Sequence, residues 1–404
     1  MVTEDDVLYL ATKHWVKNST GISAIDLSEK LSSKHYKIKE LLKKLTIRGM
    51  GSLKENVELY SVSFNVDLNN PRPAGAERLK SKKIKTHIFF PSKKHLKTYF
   101  EKNILEFQSD GRYRNMLRLG GGQIELVYFK LNVLKKYFDH QEKYRVDDNI
   151  VAGEIDLKDS YYLSLPQNIA EKESFARIRY GKRKLSNGEY SVSAILCDLS
   201  DLPIEEQLYW ASNEIENPTF ANNDIGFDKF CAQSYYAMWV NHNDPIEEIK
   251  EKINEINKLF SPNFLFQYST NAYVQYPVLN TRKNFVDCCS ELYKLIDESS
   301  ISQDRLIELF SKTNEFSEDD LLDENGIKLT KIKLFNAFVK KILPDNYAFI
   351  RGAWVAVRDC RIEGDHKISE PVLSKENYID EFKILCFNLI TAFNYLYYGL
   401  KGNI

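Results

Sequence analysis

Two sets of residues in this chain have the types and spacing needed for chemistry on a phosphodiester. The first is the run Arg361-Ile362-Glu363-Gly364-Asp365-His366, in which an arginine precedes a histidine by five positions. Cleaving RNA without a metal requires a group that moves the 2′-hydroxyl proton and a cation that meets the charge building on the phosphate, and histidine and arginine suit those roles. The second set is Asp147, Asp148 and Asp156-Leu157-Lys158. Each set also has a plain structural reading. A cation is favoured at a helix C-terminus, and acids at turns and on surfaces are common in a chain with 28% charged residues.

The remaining signal is electrostatic. A candidate helix over 35–47 turns Lys37, Lys39, Lys43 and Lys44 outward and ends near Arg48-Gly49. Residues 78–97, RLKSKKIKTHIFFPSKKHLK, hold eight Lys or Arg and no acid, among them Lys80, Lys82, Lys83, Lys85, Lys93 and Lys94, with Phe89 and Phe90 between the basic blocks. Binding a phosphate backbone needs such a density, and His87 and His95 would add to it. The alternative is a solvated linker ahead of a strand Thr86–Phe90.

Cofactor signatures do not add to this. Gly120-Gly121-Gly122 lacks the Lys-Ser/Thr of a phosphate loop and reads as a turn, and HExxH, GxSxG and Cys/His zinc spacings do not occur. No cofactor and no metal site are expected. The six cysteines, without CxxC spacing, read as reduced core thiols.

The elements that must position these residues begin with a helix over 4–17 that aligns Val7, Leu8, Ala11, Trp15 and Val16. A short helix follows with Ile22, Ile25, Leu27 and Leu31, then the basic helix with Tyr36, Ile38, Leu41, Leu42 and Leu45 inward, then a strand over 57–64. This order resembles the winged helix-turn-helix family. The resemblance implies that the helix 35–47 enters the major groove of DNA while the wing follows the backbone.

Toward the C-terminus, Phe349, Ile350, Ala353, Trp354 and Val357 form an apolar stripe. Arg361 falls one turn later on the same, inward face, and Gly364 ends the helix before His366. An Arg-x4-His at a helix end inside an α-bundle resembles the HEPN family, whose ribonuclease members carry Arg-x(4–6)-His. By that resemblance Arg361 and His366 are the catalytic pair, and two motifs meet across a homodimer. The chain departs from the family where Ile362 stands at a position that is commonly polar. The acidic set Asp147, Asp148 and Asp156-Leu157-Lys158 resembles the Mg-dependent PD-(D/E)xK nucleases, and by that resemblance its carboxylates would bind Mg²⁺ and Lys158 would assist the attacking water. The stretch Asp198–Trp210 resembles a segment of uncharacterised bacterial proteins and brings no activity with it.

At 404 residues the chain exceeds the roughly 250–300 that one core serves, so several domains are expected. Apolar residues make up 43% of it, which argues against disorder. The predicted organisation is multidomain: a winged helix over 1–66, an α+β domain over 67–280 with strands at 123–130, 151–156, 160–165, 174–180 and 189–197, and an all-α helical bundle over 281–404. The N-terminus lacks the order of a signal peptide and no apolar run reaches ~18 residues, so a cytoplasmic protein without membrane contact is expected. Four functions stay open: a nucleic-acid-binding protein with a metal-independent ribonuclease effector of defence or toxin type, a winged-helix DNA-binding regulator that dimerises through its bundle, a Mg-dependent nuclease like the PD-(D/E)xK family, and an adaptor that touches no nucleic acid. The partners expected are DNA or RNA and a second copy of the chain.

Overall fold

The computed structural model describes residues 2–61, 82–103, 111–175, 177–236, 238, 244–260, 265–267, 274–297, 300–312, 317–366 and 377–403. These form a mixed α/β chain with two antiparallel sheets, of three and five strands. The chain divides into two compact units. One comprises Met1–Val127, Gln167–Ala176 and Ile195–Ser212; the other comprises Tyr128–Pro166, Arg177–Ala194 and Asn213–Ile404.

The first unit opens with α1 (Glu4–Asn18), whose start is closed by a reciprocal cap: the Asp6 N–H donates to the Thr3 hydroxyl and the Thr3 N–H donates to the Asp6 carboxylate. Strand β1 (Ile22–Ser23) ends on Ser23, which caps α2 (Ala24–Lys30) through the Asp26 N–H. Helix α3 (His35–Ile47) stops at Gly49, where φ is 72°. The Gly49 and Met50 N–H groups return to the Thr46 and Leu45 carbonyls, each at 3.0 Å, so the left-handed glycine satisfies the last turn.

Strands β2 (Gly51–Ser61) and β3 (Lys82–Pro91) then pair antiparallel from Gly51↔Pro91 to Ser61↔Lys82, with a bulge between Lys54 and Val57 that places Asn56 at φ 54°. Strand β1 joins the other edge of β3, giving the order β1-β3-β2. Val7, Leu8, Ala11, Ile22, Ala24, Leu27, Ile38, Leu42, Leu45 and Phe89 close the core. Tyr36, expected inward, is 56% exposed. It lies about 200° around the helix from Ile38, on the side opposite the stripe that meets α1.

Helices α4 (Lys93–Lys102) and α5 (Arg112–Arg118) extend this unit. The Trp15 indole donates to the Leu117 and Arg118 carbonyls, and buried Gln207 accepts the Tyr113 N–H at 3.0 Å.

In the second unit, β4 (Leu126–Lys130), β5 (Tyr144–Asp148), β6 (Ala152–Leu157), β7 (Ile178–Lys184) and β8 (Tyr190–Ile195) lie in the order β4-β8-β7-β6-β5. The strand expected over 160–165 is instead covered by the helix Asp159–Ser164. Asp159 suits a first helical turn, and none of those residues is buried, so a strand there would have no apolar face to pack. The sequence reading missed β5, whose inward Tyr144 alternates with charged neighbours.

The helices Pro245–Lys258, Arg282–Tyr293, Gln303–Ser311, Lys331–Ile342, Pro344–His366 and Tyr378–Asn403 share one apolar core that includes Ile249, Ile253, Leu292, Phe335, Trp354 and Phe393. Trp354 donates its indole N–H to the Ile296 carbonyl at 3.2 Å and tilts against Phe393 at 4.9 Å. Among the described residues no helix is long and apolar enough to cross a membrane.

Candidate functional site

Exposed basic residues singled out in the sequence stand on α3 and at the start of α4. On α3, Lys37, Lys43 and Lys44 are exposed and Lys39 is half-buried, while Tyr36 and Ile47, the latter 85% exposed, stand among them. Arg48 pairs with Glu4 at 2.7 Å, Lys43 with Glu55 at 3.3 Å, and Lys85 reaches Glu58 at 3.8 Å. Such exposed pairs are worth ~0–1 kcal/mol, so a phosphate can displace them. Lys93 and Lys94 are exposed in the first turn of α4. Lys80 lies outside the described residues; the backbone of Lys82 and Lys83 is in β3, and their side chains lie outside the description.

The charges at the helix starts follow a pattern. Helices α1 and α2 carry acids in their first turns, as the helix dipole prefers. Helices α3 and α4 carry none; α3 begins after Lys34, without a side-chain cap, and α4 begins with two lysines. Cations at these positive helix ends oppose the local dipole, which marks them as residues whose presence local stability does not explain.

The histidines of the basic segment do not belong to that surface. His87 is buried and accepts the Asn56 N–H through Nδ1 at 3.4 Å, and His95 is half-buried with Nε2 2.9 Å from the Thr12 hydroxyl. Phe89 is fully buried in the core. The period of two along β3 puts Phe89 on one face and its half-buried neighbours Ile88 and Phe90 on the other, where Phe90 meets Trp15 edge-on.

In the second unit, Arg361 is exposed rather than inward, with its guanidinium 5.0 Å from the centre of the Tyr293 ring. The long side chain carries the charge away from the apolar stripe that ends at Val357. The helix runs through Gly364 to His366, so the expected stop at Gly364 does not occur. A glycine inside a helix costs only about 1 kcal/mol, and the flanking turns tolerate it. Five residues apart on one helix, Arg361 and His366 leave the axis about 140° apart; the side chain of His366 lies outside the description.

The acidic set is split by the pleat. Asp147 pairs in register with Glu154 and Arg145 with Asp156, so these four share one face, where Arg145 forms an ion pair with Asp156. Asp148 belongs to the opposite, buried face. Lys158 stands at the N-cap position of the helix that follows, without a side-chain hydrogen bond to it. Among the described residues, no three His, Cys, Asp or Glu side chains converge as a metal set.

Two charged clusters were missed. Asp148 and Lys182 are 4% and 6% exposed and 2.7 Å apart; Tyr180 donates to Asp148 at 2.6 Å and Lys182 to the Asn149 carbonyl at 2.8 Å. Burial pushes the Asp148 carboxyl up against the pull of Lys182 and Tyr180. In the other cluster Lys383 donates to the Tyr190 hydroxyl at 2.8 Å, Tyr190 donates to Asp380 at 2.9 Å, and Lys184 meets Asp380 at 2.8 Å. Burial lowers the Lys383 ammonium to about 8, with Asp380 pulling it back up, and burial raises the Tyr190 hydroxyl. A lysine on the stripe Ile379, Lys383, Cys386, Ile390 was the visible signal for this cluster.

No protein-family model matches this chain, and neither a curated protein nor a solved structure matches it.

Proposed function

We propose that this chain binds duplex nucleic acid through a winged helix formed by residues 2–91, with α3 in the major groove and β2–β3 as the wing. The observation that carries the reading is the succession α1-β1-α2-α3-β2-β3 with strand order β1-β3-β2, which leaves the lysine-bearing side of α3 exposed. Lysines 37, 43 and 44 reach phosphates, while Tyr36 and Ile47 meet base edges and thymine methyl groups. Lys93 and Lys94 add a backbone contact at the start of α4, where N–H groups and charge act together.

The test is fluorescence anisotropy of labelled duplex DNA across a salt series. Wild type is expected to lose affinity steeply with salt, with a slope near −0.9 per phosphate contact, and Lys37→Ala/Lys43→Ala/Lys44→Ala to flatten that slope by about two to three contacts. Salt-independent or absent binding would overturn the reading.

A second reading keeps the second unit as a metal-independent ribonuclease. What supports it is the exposure of Arg361, which leaves a cation accessible near the end of its helix. Because Arg361 and His366 diverge around that helix, this reading takes the paired group from a second copy of the chain.

A further inference from the structure

The C-terminal helix Tyr378–Asn403 is apolar on more than the side that meets the core. Phe382, Leu385, Leu389, Phe393, Leu396 and Leu400 lie on one side and are buried. On the other side Ile384, Phe387, Thr391, Tyr395 and Tyr398 fall within an arc of about 80° and run for about 21 Å along the axis. The four large side chains of that stripe are each between 40% and 67% exposed. In a chain with 28% charged residues, none stands between Lys383 and Lys401. A helix that faces water on one side carries its polar and charged residues there, and one that is apolar all round has both sides covered.

The order of the stripe says what covers it. Phe387 and Tyr395 lie four residues before and after Thr391, and Ile384 and Tyr398 lie seven. A twofold axis beside Thr391, perpendicular to the helix, therefore sets Ile384 of one copy against Tyr398 of the other and Phe387 against Tyr395. Every large side chain then meets an apolar one and no like charges meet, which is the reciprocal pairing an isologous interface requires. Thr391, the smallest of the five side chains, sits where the two helices come closest. Its hydroxyl donates to the Phe387 carbonyl at 3.0 Å, so it brings no unmet donor to the contact. Phe349 of the helix Pro344–His366 widens the stripe: its ring is also exposed and stands edge-on to Tyr395 at 5.7 Å.

The area is of the right order. Covering these four large side chains and Phe349 removes on the order of 500 Å² of mostly apolar surface per copy, since aromatic side chains bury roughly 150–250 Å² each when fully covered. A standard interface takes about 800 Å² from each partner, with an apolar centre and a polar rim. The stripe supplies that centre, and Asn388 and Asn394, at its two edges, begin the rim.

We propose that this stripe is the interface of a homodimer, in which two copies of the helix Tyr378–Asn403 pack antiparallel about a twofold axis at Thr391. All of its residues belong to the second unit, so the interface stands whatever α3 binds. The ribonuclease reading asks for a second copy without saying where it docks.

The experiment is sedimentation velocity of the full-length, nuclease-treated protein over a range of concentrations, at low and at high salt. Wild type is expected to sediment as a dimer that high salt does not dissociate, because salt screens contacts between charges and not apolar ones. Thr391→Glu puts two like charges at the axis and is expected to raise the dimer dissociation constant about a hundredfold or more, with an unchanged circular dichroism spectrum. Tyr398→Ser adds no charge and should weaken the dimer by less, which keeps the test open if the glutamate variant does not fold. The register is read by cysteine linking. Thr391→Cys should give a disulfide-linked dimer on mild oxidation, because its two sulfurs meet at the axis, whereas Ile384→Cys, at opposite ends of the two stripes, should not. A wild-type monomer at every concentration overturns the proposal, as does a dimer indifferent to both Thr391→Glu and Tyr398→Ser. Association seen only before nuclease treatment also overturns it, since nucleic acid would then be the bridge. Linking through Ile384→Cys in place of Thr391→Cys would make the pairing parallel and overturn the antiparallel arrangement.

Discussion

Asp148, read in the sequence beside Asp147 as a candidate metal ligand, is in the fold one half of a buried pair with Lys182. With side chains 4% and 6% exposed, each charge is tolerated only because the other, Tyr180 and a backbone carbonyl surround it. Removing one partner leaves an uncompensated buried charge, which costs on the order of 3–5 kcal/mol. Lys182→Met should therefore lower the urea midpoint strongly, while Asp148→Asn/Lys182→Met should recover a large part of that loss. A single variant as stable as wild type would show that the pair is not a buried ion pair in solution.

Lys383 gives a pH-dependent counterpart. Its folded-state value near 8 lies below the 10.5 of a free lysine, so between those values the unfolded chain binds the proton and the folded chain does not. Stability contributed at this position must then rise as pH climbs from 8 toward 10.5, by up to about 3 kcal/mol. Other groups titrate in the same window, so the quantity to measure is the difference between wild type and Lys383→Met. That difference should grow in favour of wild type from pH 7.5 to 10, and a difference that stays flat would place the Lys383 ammonium in water.

At the scale of elements, what could be read in the sequence was decided by how locally each element is specified. Helix α3 was legible because Ile38, Leu42 and Leu45 repeat at helical spacing and Gly49 closes the last turn; Tyr36 was misassigned because an aromatic ring was counted as core regardless of its angle around the helix. Strand β5 was hidden because its alternating charges are a solvent face as readily as a loop. The basic surface was half legible. Counting lysines found α3 and the start of α4, yet His87 and Phe89 turned inward because a strand alternates faces. The pairing of Asp148 with Lys182 depends on residues brought together from separate strands, which no local pattern reports, and of the Lys383 cluster only the lysine on its apolar stripe was visible.

The turn into β2 is one of the local specifications that can be tested. A Cβ on Gly51 would press into the Phe90 carbonyl and the Phe89 ring, which is the innermost aromatic of the three-stranded sheet. Backbone cannot yield there as a flexible side chain would. Gly51→Ala is expected to destabilise the first unit by about 1–3 kcal/mol, read as a lower thermal midpoint, and to weaken duplex binding only through unfolding. Gly49→Val tests the left-handed residue at the end of α3 in the same way, since a β-branched side chain at φ 72° is strained whatever the space.

At the scale of the whole molecule, a basic, proposed nucleic-acid-reading unit and a larger unit built on a sheet and a helical core leave two functions to separate, a regulator and a ribonuclease. They differ in what must happen to RNA. The decisive arrangement is labelled single-stranded RNA in EDTA with wild type, Arg361→Ala and His366→Ala, after circular dichroism has established equal folding. Arg361 is exposed and its only described ring contact is with Tyr293, so its truncation is expected to cost little stability and any loss of cleavage would report chemistry. A ribonuclease whose Arg361 and His366 come from different copies predicts more: mixing the two inactive variants should restore a fraction of the activity, because a mixed dimer contains one intact pairing. Cleavage that survives both substitutions would remove these residues from the reaction. Absence of cleavage, alongside salt-sensitive duplex binding that responds to Lys37, Lys43 and Lys44, would leave the second unit with a role in assembly, and the protein as a regulator whose output is set by what α3 binds.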